Sequence, residues 1–205
     1  MLKFLIQILV RMKAKFEEFR LTRRWEELRG KGMHIGEGVF LPMSTWVDAS
    51  HCFLISIGDR CVFGPNCSIL AHDAMTNEFI DATKIGKVTI HESCCFGMGT
   101  IILPGVEIGP RSITGAGSVV SKDIPHDSVA VGNPAKVICT LDEYLNKHRE
   151  KMKTAPIFPF EQYDCNVITQ ERMAEMIDKL NETHGYITGG RTATFAERIT
   201  KDKKG

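Results

Sequence analysis

A six-residue period is the feature of this chain that most restricts how it can fold. From Ile90 onward the apolar or small residues Ile90, Phe96, Ile102, Ile108, Thr114 and Val120 recur at intervals of six, with Gly97 directly after Phe96 and Gly109 directly after Ile108. Small or modest side chains stand four positions further on, at Cys94, Thr100, Val106, Ser112 and Ser118. An earlier block has the same phase in Ile57-Gly58, Phe63-Gly64 and Ile69, with Cys61 and Cys67 as companions. Before it come Ile35-Gly36, Leu41 and Val47, joined to the next block by a step of irregular length. A period of six fits neither the 3.6-residue helix nor the two-residue strand. It fits a triangular coil whose sides are short strands and whose corners are tight turns, with the aliphatic residue pointing inward and the small companion filling the corner. Stacking such coils gives parallel sheets around one continuous core, in which each turn covers the next.

The flanks follow other rules. Leu5, Ile8, Leu9 and Met12, continued by Phe16 and Phe19, recur at helical spacing, while Arg11, Lys13, Lys15, Arg20, Arg23 and Arg24 add positive charge. The opening apolar run of roughly ten residues is too short for a membrane span and lacks a small-residue cleavage site. Residues 1–33 therefore read as an amphipathic helical segment, which either packs on the protein or lies on an anionic membrane surface. The coil is expected over 34–138. Its register breaks over 72–88, where AHDAMTNEFIDATKIGKV carries charges and amides without hexads, and an excursion of that length from a solenoid points to function. A helical extension and tail follow over 139–205. Thr140-Leu141-Asp142-Glu143 is a capping box opening a helix to about Lys151, and a second helix follows Thr169 with Met173, Met176, Ile177 and Leu180 on one face. The polar, basic end from about Thr188 reads as frayed.

Charge and cysteine content exclude some functions. Lys+Arg 26 against Asp+Glu 25 leaves a formal net charge of +1, so no global field favours nucleic acid. Seven cysteines, odd in number and without Cys-x-x-Cys spacing, fall mostly at apolar positions and read as buried hydrophobes in a reducing, cytoplasmic setting.

The stretch from Ile85 to Ile138, and above all GAGSVVSKDIP at 115–125 and VGNPAKVI at 131–138, resembles the hexapeptide-repeat acyltransferases, in particular the maltose, galactoside and O-antigen or capsule sugar O-acetyltransferases. That resemblance implies an all-β core wound as a left-handed parallel β-helix and assembled as a homotrimer. It also implies acetyl-CoA as acyl donor, a sugar hydroxyl as acceptor and no required metal. By the same likeness Met98, Gly99, Ala116 and Ser121 would lie along pantetheine and the thioester, and Lys136 would face a CoA phosphate. Cys95 and Cys139 stand where several relatives have Trp and a second Arg. Moving an acyl group from a thioester to a hydroxyl needs a base for the alcohol proton, and imidazole suits neutral pH. His72 in ILAHD matches the family's catalytic segment, and Asp73 is the expected orienting carboxylate. Backbone amides near Met98 or Gly99 would hold the oxyanion.

Two rivals share the repeat. A γ-class carbonic anhydrase has similar hexads, a GMG-type step and a PAK-type ending, but needs three zinc-binding histidines, and the repeat region offers only His72 and His91. A non-catalytic solenoid whose helical tail binds a partner would not bind CoA.

Overall fold

In a computed structural model, residues 12, 16, 19–165 and 167–190 are described. The chain divides into two units, 1–139 and 140–205.

The hexads close into a three-sided coil. The first side is a parallel sheet of His34–Ile35, Ile55–Ile57, Val88–Ile90 and Glu107–Ile108. The second holds Val62–Phe63, Cys95–Phe96, Ile113–Thr114 and Ser128–Val131. The third holds Trp46–Val47, Ser68–Ile69, Ile101–Ile102 and Val119–Val120. Register follows the period. Ile35 lies against Ile57, Ile57 against Ile90 and Ile90 against Ile108, while Val47, Ile69, Ile102 and Val120 form the corresponding column on the third side. On the second side Phe63 and Phe96 stack with ring centroids 4.4 Å apart. These columns are buried, and each such Ile, Leu or Phe contributes about 1.5–3 kcal/mol through removal from water.

The companion positions behave as expected. Cys61, Cys67, Cys94, Thr100, Val106, Ser112 and Ser118 are all buried. Polar companions satisfy their hydroxyls on corner carbonyls: Ser118 Oγ donates to Gly115 O at 2.7 Å and Ser112 Oγ to Pro125 O at 2.7 Å. At Gly97 the coils come closest, and a Cβ there would run into the backbone of Ala116 in the next coil.

A helix over 19–30 precedes the coil. It buries Leu21 and Leu28, and Trp25 packs against the solenoid core. Arg24 donates to Met43 O at 3.0 Å and Thr45 O at 2.5 Å, and Arg29 to Ile35 O at 2.9 Å. Two arginines of this helix are thus committed to the coil's first turn, and the membrane-surface reading of the helix finds no support. Leu5, Ile8, Leu9, Arg11, Lys13 and Lys15 lie outside the described residues. No helix among the described residues is long and apolar enough to cross a membrane.

The excursion is an ordered hairpin. His72–Asp73 pairs antiparallel with Lys84–Ile85, and a short helix, Asn77–Ile80, forms its tip. Met75, Phe79 and Ile80 are exposed there.

In the second unit the capping box is complete: Thr140 Oγ1 accepts from Glu143 N at 3.2 Å, and Thr140 N donates to Glu143 Oε2 at 2.8 Å, opening the helix Leu141–Met152. Thr169 caps Gln170–Lys179, whose apolar face leaves Met173 and Ile177 exposed. Ile157–Pro159 pairs with Tyr186–Thr188, which is ordered strand where fraying was expected to begin. Residues 191–205 lie outside the described residues.

Candidate active site

The pairing of Val47 with Ile69 on the third side determines what surrounds His72. Asp48 follows Val47 and Leu70 follows Ile69, so both chains leave the sheet at the same corner; the Asp48 N–H donates to Ile69 O at 3.0 Å. From there one chain runs through the irregular step to Ile55 and the other into the hairpin. His72 and Asp48 are 24 residues apart in sequence and adjacent in space.

The Asp48 carboxylate is 1 % exposed and fully engaged. Its Oδ1 accepts from Ser50 N at 3.1 Å, Ser50 Oγ at 2.6 Å and His51 N at 3.2 Å. Its Oδ2 accepts from Ala71 N at 3.2 Å and pairs with His72 Nδ1 at 2.5 Å. Burial alone would raise the pKa of this acid, but the donors from Ser50, His72, His51 and Ala71 together outweigh it and hold the carboxyl at about 2. An ionised carboxylate only accepts hydrogen bonds, so the bond assigns the proton of neutral His72 to Nδ1 and leaves the Nε2 lone pair free. The ring is 30 % exposed and can be reached by a substrate.

Asp73, the expected orienting acid, does not fill that role. Its Oδ1 instead accepts from Met75 N at 3.0 Å and caps the hairpin turn, and the residue is exposed. Successive residues of a strand point to opposite faces, so a carboxylate beside His72 in sequence is directed away from its ring. His51 joins the group from the irregular step, with its ring centroid 4.9 Å from that of His72. Its Nδ1 is 3.0 Å from Ser50 Oγ and 3.8 Å from Asp48 Oδ2. Among the described residues Asp48, His51 and His72 form the one cluster with metal-ligating geometry, their ligand atoms lying within 4.8 Å of one another.

The residues assigned to the donor are distributed over more than one corner. Met98 and Ala116 stand in successive coils at the corner after the second side, both exposed, with Gly117 N donating to Met98 O at 2.8 Å. Gly99 sits there too, in the left-handed region at φ 72°, but its N–H donates to Pro65 O at 2.9 Å. Among the described residues no backbone acceptor faces the Met98 N–H or the Ala116 N–H at this corner. Ser121 follows Val120 on the third side and therefore lies on the His72 edge, not beside Met98. Lys136 is exposed in the strand Lys136–Thr140 that ends the coil. A cleft lined by His91, Glu107, Asp123 and His126 occupies the remaining edge. There His91 is paired with Glu107 at 2.8 Å, so it does not converge with His72 on a zinc site. Cys94 is fully buried, and its thiol donates to Gly109 O at 3.2 Å.

Residues 87–122 match the family model for bacterial transferase hexapeptide repeats. A Bacillus subtilis protein, YvoF, whose name assigns it to the acetyltransferases, is 32% identical over 142 residues, covering 69% of this chain and 80% of its own length. The chain belongs to the hexapeptide-repeat acetyltransferases. Within that family, galactoside O-acetyltransferase of Lactococcus lactis is 42% identical over 115 residues, about half of either chain at 53%. Among solved structures, a maltose O-acetyltransferase from Clostridium difficile is 28% identical with a TM-score of 0.44, covering 55% of this chain and 72% of its own.

Neither Asp48 nor His51 was singled out from sequence. The available signal was the shared phase of Val47 and Ile69, which puts the residue after each at one corner.

Proposed function

We propose that this protein transfers an acetyl group from acetyl-CoA to a hydroxyl of a sugar or surface-polysaccharide precursor, with His72 as general base and Asp48 as its orienting residue. The observation that carries the reading is the hydrogen bond between the buried, ionised Asp48 and His72 Nδ1. It fixes the tautomer in which Nε2 can accept a proton and stabilises the imidazolium formed when it does.

The acceptor oxygen attacks the acetyl carbonyl while Nε2 removes its proton, giving a tetrahedral oxyanion that the Met98 N–H stabilises. Collapse breaks the carbon–sulfur bond, and the CoA thiolate recovers the proton from His72. An acetyl ester and free CoA result, with no acyl-enzyme. Ala116 contributes backbone to the pantetheine track, Ser121 a hydroxyl from the neighbouring edge, and Lys136 a point charge for a CoA phosphate. Within one chain His72 and the Met98–Ala116 edge are separated by a full side of the coil. That separation supports a homotrimer in which the base of one protomer faces the donor edge of the next. The coil winds left-handed, as the hexads of this family do, and a CoA donor puts the reaction in the cytoplasm. The name of the Lactococcus relative favours a sugar hydroxyl.

The test is a panel of sugars and amino acids incubated with acetyl-CoA and monitored for thiol release, with His72→Ala in parallel. A sugar should release thiol, and the variant should lose about 10²–10⁴-fold in kcat while binding CoA normally. Unchanged turnover in the variant would remove His72 from the mechanism.

A further inference from the structure

We propose that Asp48, His51 and His72 form an inhibitory binding site for a divalent transition-metal ion, best suited to zinc, which silences the enzyme by occupying the wrong nitrogen of its base.

The two imidazoles and one carboxylate are a donor set of zinc type, and a tetrahedral zinc with bonds of about 2.0–2.1 Å holds its ligand atoms roughly 3.3 Å apart. Around Asp48 Oδ2 the present spacings are 2.5 Å to His72 Nδ1 and 3.8 Å to His51 Nδ1, and each of the three residues offers a ligand atom within 4.8 Å of the other two. One contact must open and the others close, each by roughly 1.5 Å or less, which side-chain rotation can supply. The side chains that must move are not locked in the core: His51 and His72 are 31% and 30% exposed. Asp48 stays fixed by Ser50, the His51 N–H and the Ala71 N–H, so the anionic ligand is already in place.

The consequence for the reaction follows from proton accounting. In the active arrangement Nδ1–H of His72 faces Asp48 and Nε2 is the base. A metal on Nδ1 takes the place of that proton, and the neutral ring keeps its one hydrogen by moving it through solvent to Nε2. Ser50 Oγ gives its own hydrogen to Asp48 Oδ1, so His51 Nδ1 is the donor to Ser50 Oγ, and a metal there would displace that hydrogen to Nε2 in the same way. Nε2–H of a metal-bound ring cannot accept the acceptor's proton. Binding depends on the geometry alone, whereas inhibition also rests on His72 being the base of the proposed transfer.

The experiment uses the metal-stripped full chain. Calorimetric zinc titration, together with the visible absorption of bound Co²⁺, measures occupancy. Thiol release from acetyl-CoA, with and without zinc and then EDTA, measures inhibition. Wild type should bind near one zinc per chain, show a tetrahedral Co²⁺ spectrum, and lose transfer over the same zinc range, with EDTA restoring it. His51→Gln should bind zinc at least about tenfold more weakly and lose its sensitivity to zinc, judged as its own ratio of treated to untreated rate so that changes in basal rate cancel. Zinc that binds wild type, His51→Gln and His72→Ala equally overturns the site. Binding that needs His51 but leaves transfer untouched overturns the inhibition. A His72→Ala protein with normal turnover instead marks failure of the base assignment, which this design reads separately.

Discussion

Replacing Asp48 with Asn changes little in shape but reverses the chemistry of the site. If the side-chain oxygen stays toward Ser50 and the His51 N–H, the amide NH₂ takes the place of Oδ2 and faces two donors, Ala71 N–H and His72 Nδ1–H. The ring can answer only by moving its proton to Nε2, which abolishes the free lone pair. From the wrong tautomer we expect kcat/KM to fall about 10²–10⁴-fold, or roughly 3–5 kcal/mol of transition-state stabilisation. Stability suffers for a separate reason. A carboxyl held at about 2 against an ordinary 3.8 contributes about 2 kcal/mol to folding, and the orphaned Ala71 N–H costs about 1–3 kcal/mol. These overlap, so a loss of about 2–4 kcal/mol is expected, and a melting temperature lower by roughly 5–15 °C. The sign of the pH dependence follows from the depressed value. The Asp48 contribution is complete above the ordinary carboxylate range and disappears as pH falls from about 4 to about 2. The gap in melting temperature between wild type and Asp48→Asn should therefore narrow across that interval. Steady-state kinetics on folded protein, with circular dichroism over a pH series, separates the two effects. A folded Asp48→Asn enzyme within about threefold of wild-type kcat/KM would refute the orienting role.

Three further outcomes test the frame that holds the site. Gly97→Ala should cost about 3 kcal/mol, because its Cβ meets the backbone of Ala116 and not a movable side chain; a melting temperature within about 2 °C of wild type would contradict the close stacking of the coils. Thr140→Ala removes the capping-box hydroxyl and should weaken the helix Leu141–Met152 by about 1 kcal/mol, speeding amide exchange there roughly fivefold, with unchanged exchange counting against it. Cys52, Cys61, Cys67 and Cys94 are buried, and hydrogen bonding with Cys94 together with burial pushes the Cys61 thiol up. These four should react with a thiol reagent only on unfolding, and rapid labelling of any of them in the native protein would show the core to be open.

The solenoid was legible because its inward column obeys one short rule at almost every step. Ile57, Phe63 and Ile69, then Ile90 through Val120, keep a spacing of six whatever their corners contain, and the core accepts any apolar side chain of suitable volume there. Apolar spacing was less informative in the second unit. Met173, Met176, Ile177 and Leu180 do share a helical face, yet Met173 and Ile177 remain exposed, since periodicity gives the orientation of a stripe and not what covers it.

The site illustrates the same limit from the opposite direction. Its histidine stood in a recognisable segment, but its partner was sought one residue away, at Asp73, where strand geometry turns the side chain aside. A parallel coil juxtaposes residues one turn apart instead, and here the turns differ in length, so no fixed offset leads from His72 to Asp48. The register does: Val47 lies against Ile69, and the next residues share a corner, as the bonds from Asp48 N to Ile69 O and from Ala71 N to Asp48 Oδ2 attest. Both breaks in the hexad pattern, after Val47 and after Ile69, open at that corner. Irregular steps stacked at one edge of a regular solenoid are where its backbone is free to present polar side chains, so Asp48, His51 and His72 collect where the repeat fails twice in register.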